Sequence, residues 1–285
     1  MIVRAHVHGG LRLAERSRRR NGSVAEMQTI RSLDRALAVL ESFTEDDLSV
    51  RLSQLSRKLK MSKATLLRIL RTLELHEVIR RRESDRSFTL GPGIIRLGTL
   101  ALRHSGVLEV SRPYIKRLQV ITGETVCVFM VSGTDRMCVD VVPSQHDLRM
   151  TIDVGATRPL HAGAAGKVLV AFMPAQDIRR ILLGRRLPEL TEKTVTSPAR
   201  LFRQLEEIRR KGVAVSHGES VRGAAAIAAP IFGRDHSVIA AVNVLGPSIR
   251  LTSGRIQQFI PAVLEAAAAI SRELGHGLSM ISGAR

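Results

Sequence analysis

The chain is 285 residues long, 44% hydrophobic and 25% charged, which leaves room for two domains at roughly 150 residues each and excludes a fibrous repeat or global disorder. Its longest apolar runs, residues 224–231 and 239–242, fall far short of the ~18 residues of a membrane-spanning helix, and two cysteines, Cys127 and Cys138, build no disulfide framework and suit a reducing, cytoplasmic setting. Lys and Arg number 44 against 26 Asp and Glu, a net charge of +18 that points to a polyanionic partner.

The charge is uneven. Residues 1–95 hold 19 Lys/Arg against 11 Asp/Glu, and the other 190 residues hold 25 against 15. Arginine dominates both parts, as an arginine-rich proteome would also produce. Residues 1–27 carry Arg4, Arg12, Arg16, Arg18, Arg19 and Arg20 with little apolar periodicity, and lack the continuous apolar core of a secretory signal. They read as a disordered basic arm, or as the product of a start codon placed upstream of the true one.

From Ser32 the pattern becomes helical. Leu33, Ala36, Leu37 and Leu40 fall at i, i+3, i+4, i+7, with Ser32 placed as the cap. An extended piece over 48–52 leads to Ser53, a second candidate cap, and a brief helix with Leu55 and Leu59. After a break at Lys60-Met61, Leu66, Ile69, Leu70 and Leu73 repeat the helical rule. Two β-forming runs, 78–82 and 87–90, flank Glu83-Ser84-Asp85-Arg86 like a hairpin with a longer loop. Three helices and a hairpin in about 60 residues make a winged helix-turn-helix over 28–91.

Gly91-Pro92-Gly93 then punctuates the chain. Residues 94–105 predict a connecting helix with Ile94, Leu97, Leu100 and Ala101 on one side, within a linker assigned to 92–107. A larger unit over 108–278 opens with a helix through 112–122. Strand-like runs follow at 124–131 and 136–142, then helices at 164–172 and 199–211, the latter with Leu201, Leu205 and Ile208 inward. Runs 224–231 and 237–245 flank the turn Gly233-Arg234-Asp235, and an alanine-rich helix over 257–274 closes the unit. Helices on an antiparallel sheet give an α+β fold.

The third helix carries the chemistry. With its leucines inward, the opposite side presents Lys63, Ala64, Leu67, Arg68 and Arg71, and Ser62, Lys63, Ala64 and Thr65 form the first turn. The N-terminal residues of a recognition helix reach base edges in the major groove, amides and hydroxyls there meet phosphate, and an arginine such as Arg68 can pair bidentately with guanine. Arg80, Arg81, Arg82 and Arg86 form a basic wing. A solvated basic face is the ordinary alternative, but helix spacing, short turn, basic wing and charge density coincide. The expected partner is double-stranded operator DNA, contacted through Ser62, Lys63, Ala64, Thr65, Arg68, Arg71, Arg81, Arg82 and Arg86.

The strings Ser32-Leu33-Asp34-Arg35-Ala36-Leu37-Ala38-Val39-Leu40-Glu41, Leu52-Ser53-Gln54-Leu55 and Lys63-Ala64-Thr65-Leu66-Leu67-Arg68-Ile69-Leu70 resemble the DNA-binding domain of IclR-type bacterial transcription regulators. Further along, Thr122-Gly123-Glu124-Thr125-Val126, Leu148-Arg149, Val154-Gly155, Pro159-Leu160-His161-Ala162, Gly166-Lys167, Gly212-Val213-Ala214-Val215-Ser216 with Glu219, Ile227-Ala228-Ala229-Pro230-Ile231 and Gly246-Pro247 resemble its effector-binding domain. The resemblance spans about residues 28–275. It implies a winged-helix homodimer, often a dimer of dimers on DNA, whose C-terminal domain binds a small organic effector. By matching motif the effector pocket falls on Asp147, Met150, Arg158, Ala164, Ala165, Ser216, Ala226, Asn243 and Leu245. Where relatives that bind small keto acids place hydroxyls or an acid, this chain has Asn243, Leu245 and Ser216, which suits a larger or more apolar ligand. Arg158 either holds a carboxylate bidentately or stands as a solvent-facing loop arginine. Lys60 and Ser62 stand where the family usually has Gly and Pro, so Lys60 must tolerate the glycine's backbone angle.

Rival chemistries are weaker. Gly163-Ala164-Ala165-Gly166-Lys167 fails the phosphate-loop pattern at His161 and Val168. Cys127 and Cys138 have no paired ligands, so neither a metal nor a cofactor is expected. A Cys–His pair using His161 or His217 has no support from spacing, and no catalytic residue is assigned. His217, Glu219 and Arg222 either tune ligand charge or serve structure. With no Trp, one Tyr and 3% aromatics, stacking platforms for single-stranded RNA are missing. A stand-alone small-molecule sensor or enzyme with only non-specific DNA affinity is the main alternative to a ligand-controlled regulator, more naturally a repressor.

Overall fold

The computed structural model describes residues 29–44, 47–184 and 186–277, with residues 101–105 described by backbone alone. The expected basic arm lies outside the described residues. The chain divides into two compact units that part near Ser105.

The first unit is built from α1 (Arg31–Leu40), α2 (Leu52–Leu59), α3 (Lys63–Leu75), β1 (Ile79–Arg81), β2 (Phe88–Leu90) and α4 (Pro92–Ser105). Val39, Val50, Leu55, Leu66, Leu70, Ile79 and Phe88 make its core, with Ile69 and Leu73 packed at the margin. Fully burying Leu66 and Leu70 is worth about 1.5–3 kcal/mol each. β1 and β2 pair antiparallel with Arg81 opposite Phe88, and Val50 bridges to Phe88 from the other side. The winged helix-turn-helix is therefore present.

Three local expectations need correction. Ser32 does not cap α1, because the helix starts one residue earlier, after an extended Ile30 that makes no side-chain cap bond. Ser53 lies inside α2; the cap position is Arg51, whose amide donates to Gln54 Oε1 at 2.7 Å. Leu33 and Leu37, read as core, are 58% and 56% exposed, because Val39 takes the fully buried place on α1. Leu97 and Leu100 on α4 are likewise exposed.

The second unit runs α5 (Val107–Thr122), β3 (Thr125–Ser132), β4 (Asp135–Val142), β5 (Thr157–Pro159), α6 (Ala164–Ala171), α7 (Ala175–Leu183), α8 (Pro198–Lys211), β6 (Ala214–His217), β7 (Ala224–Phe232), β8 (Val238–Pro247) and α9 (Ser253–Glu273). Its antiparallel sheet has the order β5-β4-β3-β8-β7-β6. Alternation assigns the two faces. Cys127, Phe129, Cys138, Ala214, Ala226, Ala228 and Ala241 meet α6, α7 and α8, while α5 and α9 pack from the other side. The fold is α+β, as expected; β5, β6 and α7 are additions to the sequence reading.

Candidate DNA interface and ligand pocket

On α3, the Ser62 hydroxyl accepts from the Thr65 amide at 3.2 Å and lies 3.0 Å from the Thr65 hydroxyl. The cap satisfies an orphan amide at the helix start. Ser62, Lys63, Ala64, Arg68 and Arg71 are exposed and Thr65 is half-buried. Among the described residues, Lys63, Arg68 and Arg71 have no acidic ion-pair partner. This helix end therefore offers free cations, hydroxyls and the positive end of the helix dipole.

The wing is organised by Asp85. Its Oδ1 accepts from the Ser87 amide at 3.2 Å and the Ser87 hydroxyl at 2.7 Å, and these bonds hold the carboxyl below its usual range. Arg81, Arg82 and Arg86 are exposed. Arg86 turns the loop at φ 55, and the Arg81 amide donates to Glu74 Oε1 at 3.3 Å, joining wing to α3. Lys60 does adopt the left-handed region, at φ 53 and ψ 41.

In the second unit, register brings several expected pocket residues to one sheet face. Ser216 pairs with Ala226, Ala226 with Leu245, and Leu245 with Thr125. One step along the same face, Asn243 lies between Ala228 and Cys127. Asn243 is 3% and Ser216 5% exposed. Two polar side chains on an otherwise apolar buried face are the kind of convergent polar groups that orient a small ligand. Ala164 and Ala165 are buried at the start of α6, and buried Met150 has its carbonyl bonded to the Thr125 hydroxyl at 2.7 Å. Two residues stand apart. Asp147 is exposed on the loop after β4, and Arg158 is half-buried on edge strand β5, opposite Arg136.

Residue patterning missed the charge cluster behind α6. Lys167 Nζ meets Glu219 Oε1 at 2.6 Å, and Glu219 Oε2 accepts from the Gly163 amide at 3.2 Å. Arg136 donates through Nη1 to the carbonyls of Pro159 (2.7 Å) and Ala162 (2.6 Å), and through Nη2 to the Ser220 hydroxyl at 3.2 Å. Its Nε is buried without a partner among the described residues. Burial and then the neighbouring Arg158 push the Arg136 pKa down to about 10, which leaves it charged at neutral pH. Gly166 is required here: a Cβ would lie 2.4 Å from the Leu160 carbonyl oxygen. The phosphate-loop-like string is thus a packing device whose lysine is committed to Glu219. Arg222 pairs with Glu192 at the surface, and His217 is exposed. Cys127 and Cys138 are both buried, and hydrogen bonding to Cys138 together with burial pushes the Cys127 thiol up.

The chain is similar to known proteins over most of its length. Residues 32–83 match the IclR helix-turn-helix domain and residues 99–272 the bacterial transcriptional regulator IclR C-terminal domain. The chain is 33% identical over 250 residues to the HTH-type transcriptional regulator BhcR of Paracoccus denitrificans, covering 88% of each. It is 30% identical over 244 residues to the HTH-type transcriptional repressor AllR of Escherichia coli K12, covering 86% of this chain and 90% of AllR. An IclR homolog from Microbacterium hydrocarbonoxydans, solved with 4-hydroxybenzoate, superposes with a TM-score of 0.74 at 26% identity, covering 85% of this chain and 98% of its own.

Proposed function

The chain belongs to the IclR family of bacterial transcriptional regulators, and from that premise we propose that it represses its target genes through an operator affinity set by a small organic acid. DNA-binding regulation, rather than catalysis, is what the family does. Residues 28–91 serve as the reading head, 92–107 as linker and 108–278 as effector domain. Ser62, Lys63, Ala64, Thr65, Arg68 and Arg71 read and anchor the operator, while Arg81, Arg82 and Arg86 neutralise phosphate.

The observation that supports ligand control best is the pair of buried polar side chains Asn243 and Ser216 on one otherwise apolar sheet face. An acid with an apolar body would satisfy them while lying against Ala226, Leu245 and Met150, its carboxylate near the first turn of α6 or Arg158. The Microbacterium relative's 4-hydroxybenzoate has this character. Exposed Ile30, Leu33 and Leu37 on and before α1, and Ile95, Leu97 and Leu100 on α4, suit a homodimer in which a second copy covers them.

The test uses operator DNA and a panel of aromatic and aliphatic acids. Arg68→Ala should abolish preference for operator over scrambled duplex. Asn243→Leu should preserve that preference and remove the response to the acid. Wild-type behaviour in both variants would overturn the assignment. A protein that binds the acid with no operator preference would favour the stand-alone sensor.

A further inference from the structure

The start of α6 gathers more positive charge than its neighbours balance. At the margin of the apolar sheet face, two residues along β4 from Cys138, Arg136 is only 6% exposed. Three bonds hold its guanidinium, from Nη1 to the Pro159 and Ala162 carbonyls and from Nη2 to the Ser220 hydroxyl. Nε is buried and has no partner among the described residues. A Cβ on Gly163, the cap position of α6, would lie 3.1 Å from Nη2, so the guanidinium sits against the helix start. There the amides of Ala164, Ala165 and Gly166 have no acceptor inside the helix, and the helix dipole adds positive potential.

The surrounding charges do not cancel. Arg158 stands opposite Arg136 in the β4–β5 register, and Asp135 and Glu219 also act on it. Lys167 is paired with Glu219, whose other oxygen accepts from the Gly163 amide. Three cations thus face two carboxylates, an excess of one positive charge before the helix dipole is counted. Burying a charge without a counter-charge is costly, and an open arginine donor gives a carboxylate a charge-assisted bond. One carboxylate balances the set; a second overshoots it.

We propose that Arg136 is the specificity-determining residue of the ligand pocket, selecting effectors with a single carboxylate, which its Nε–H and the first-turn amides of α6 hold. The inference rests on reading the sheet face of Ser216 and Asn243 as that pocket. As a tether of the two loops alone, Arg136 would support every ligand equally. As the carboxylate's partner it separates acids from their neutral isosteres.

The test titrates 4-hydroxybenzoate, 4-hydroxybenzamide and terephthalate into the full chain without DNA. Calorimetry gives the affinities, and NMR follows the Nε–H signal of Arg136 beside the backbone amides of Ala226 and Leu245. The wild type should bind the acid on the order of 10- to 100-fold more tightly than the amide, and more tightly than the dicarboxylate, with the Nε–H signal shifting. Arg136→Gln should remove the preference of acid over amide, while Arg136→Lys, which keeps the charge but not the fork, should keep part of it. An unchanged preference in Arg136→Gln would overturn the proposal and leave the pocket standing. So would an Nε–H signal that stays still while the Ala226 and Leu245 amides shift, or tighter binding of terephthalate. That signal is read in the wild type, so the test stands even where a variant misfolds. If neither these compounds nor acetate and hexanoate move the Ala226 and Leu245 amides, the pocket reading fails by itself. The Nε–H signal under acetate then decides Arg136 alone: a shift keeps it as a carboxylate site, and no shift overturns it.

Discussion

Lys60 concentrates a conflict between backbone and side chain. It ends α2 at φ 53, where a Cβ crowds the following carbonyl at a cost of about 1–2 kcal/mol. Glycine avoids that cost but loses more chain entropy on folding. Lys60→Gly should therefore stabilise the first unit by about 0.5–1 kcal/mol, seen as a higher urea midpoint at unchanged slope. A lower midpoint would mean that the lysine stem contributes contacts worth more than the strain. Asp85 makes the opposite arrangement, a charge that its turn favours. Its carboxyl is held below 3.8 by the Ser87 hydroxyl and amide, so its stabilising contribution is complete above the unfolded pKa and is lost only as pH falls through the folded value. An NMR titration should place its midpoint under 3.8, and Ser87→Ala should move it upward; a midpoint unmoved by Ser87→Ala would exclude the hydroxyl as the cause.

At the scale of elements, two loops close over the start of α6, one at 159–163 and one at 218–220, and buried charge laces them together. Lys167 and Glu219 are 4% and 11% exposed at the side chain. Removing one partner of such a pair strands the other, at about 3–5 kcal/mol, whereas replacing both is far less harmful. Lys167→Met should thus lower stability more than Lys167→Met/Glu219→Gln does. A double-mutant cycle with no coupling would reduce the pair to two independent polar residues. None of this was readable beforehand, because Lys167 and Glu219 stand 52 residues apart and only the fold brings them together. Elements that carry their own periodicity were legible: α3 with Leu66 and Leu70, α8 with Leu201, Leu205 and Ile208, and the paired runs of β7 and β8. β5 escaped because three residues at a sheet edge show no alternation. β6 was visible as a motif but not as a strand. On α1 the helical period was right and the burial was not, since periodicity marks an apolar face without saying what covers it.

For the whole molecule, regulation requires that ligand and operator each favour one state of the chain over the other. Asn243, Ser216, Ala226 and Leu245 were identified through family resemblance, and the sheet register gathers them on one face. A coupling of 1–3 kcal/mol is typical of such systems, or about 5- to 150-fold in affinity. Linkage makes that factor reciprocal. If a saturating acid weakens operator binding by a given factor, saturating operator must weaken acid binding by the same factor. Calorimetric titration of the acid into free protein and into the operator complex should yield matching ratios. Asn243→Leu should reduce acid affinity in both titrations and leave operator affinity without acid unchanged. Unequal ratios in the wild type would mean that a third equilibrium, such as assembly of heads on the DNA, takes up part of the coupling. The mismatch would then vary with protein concentration, whereas coupling within one protein–DNA complex is independent of it.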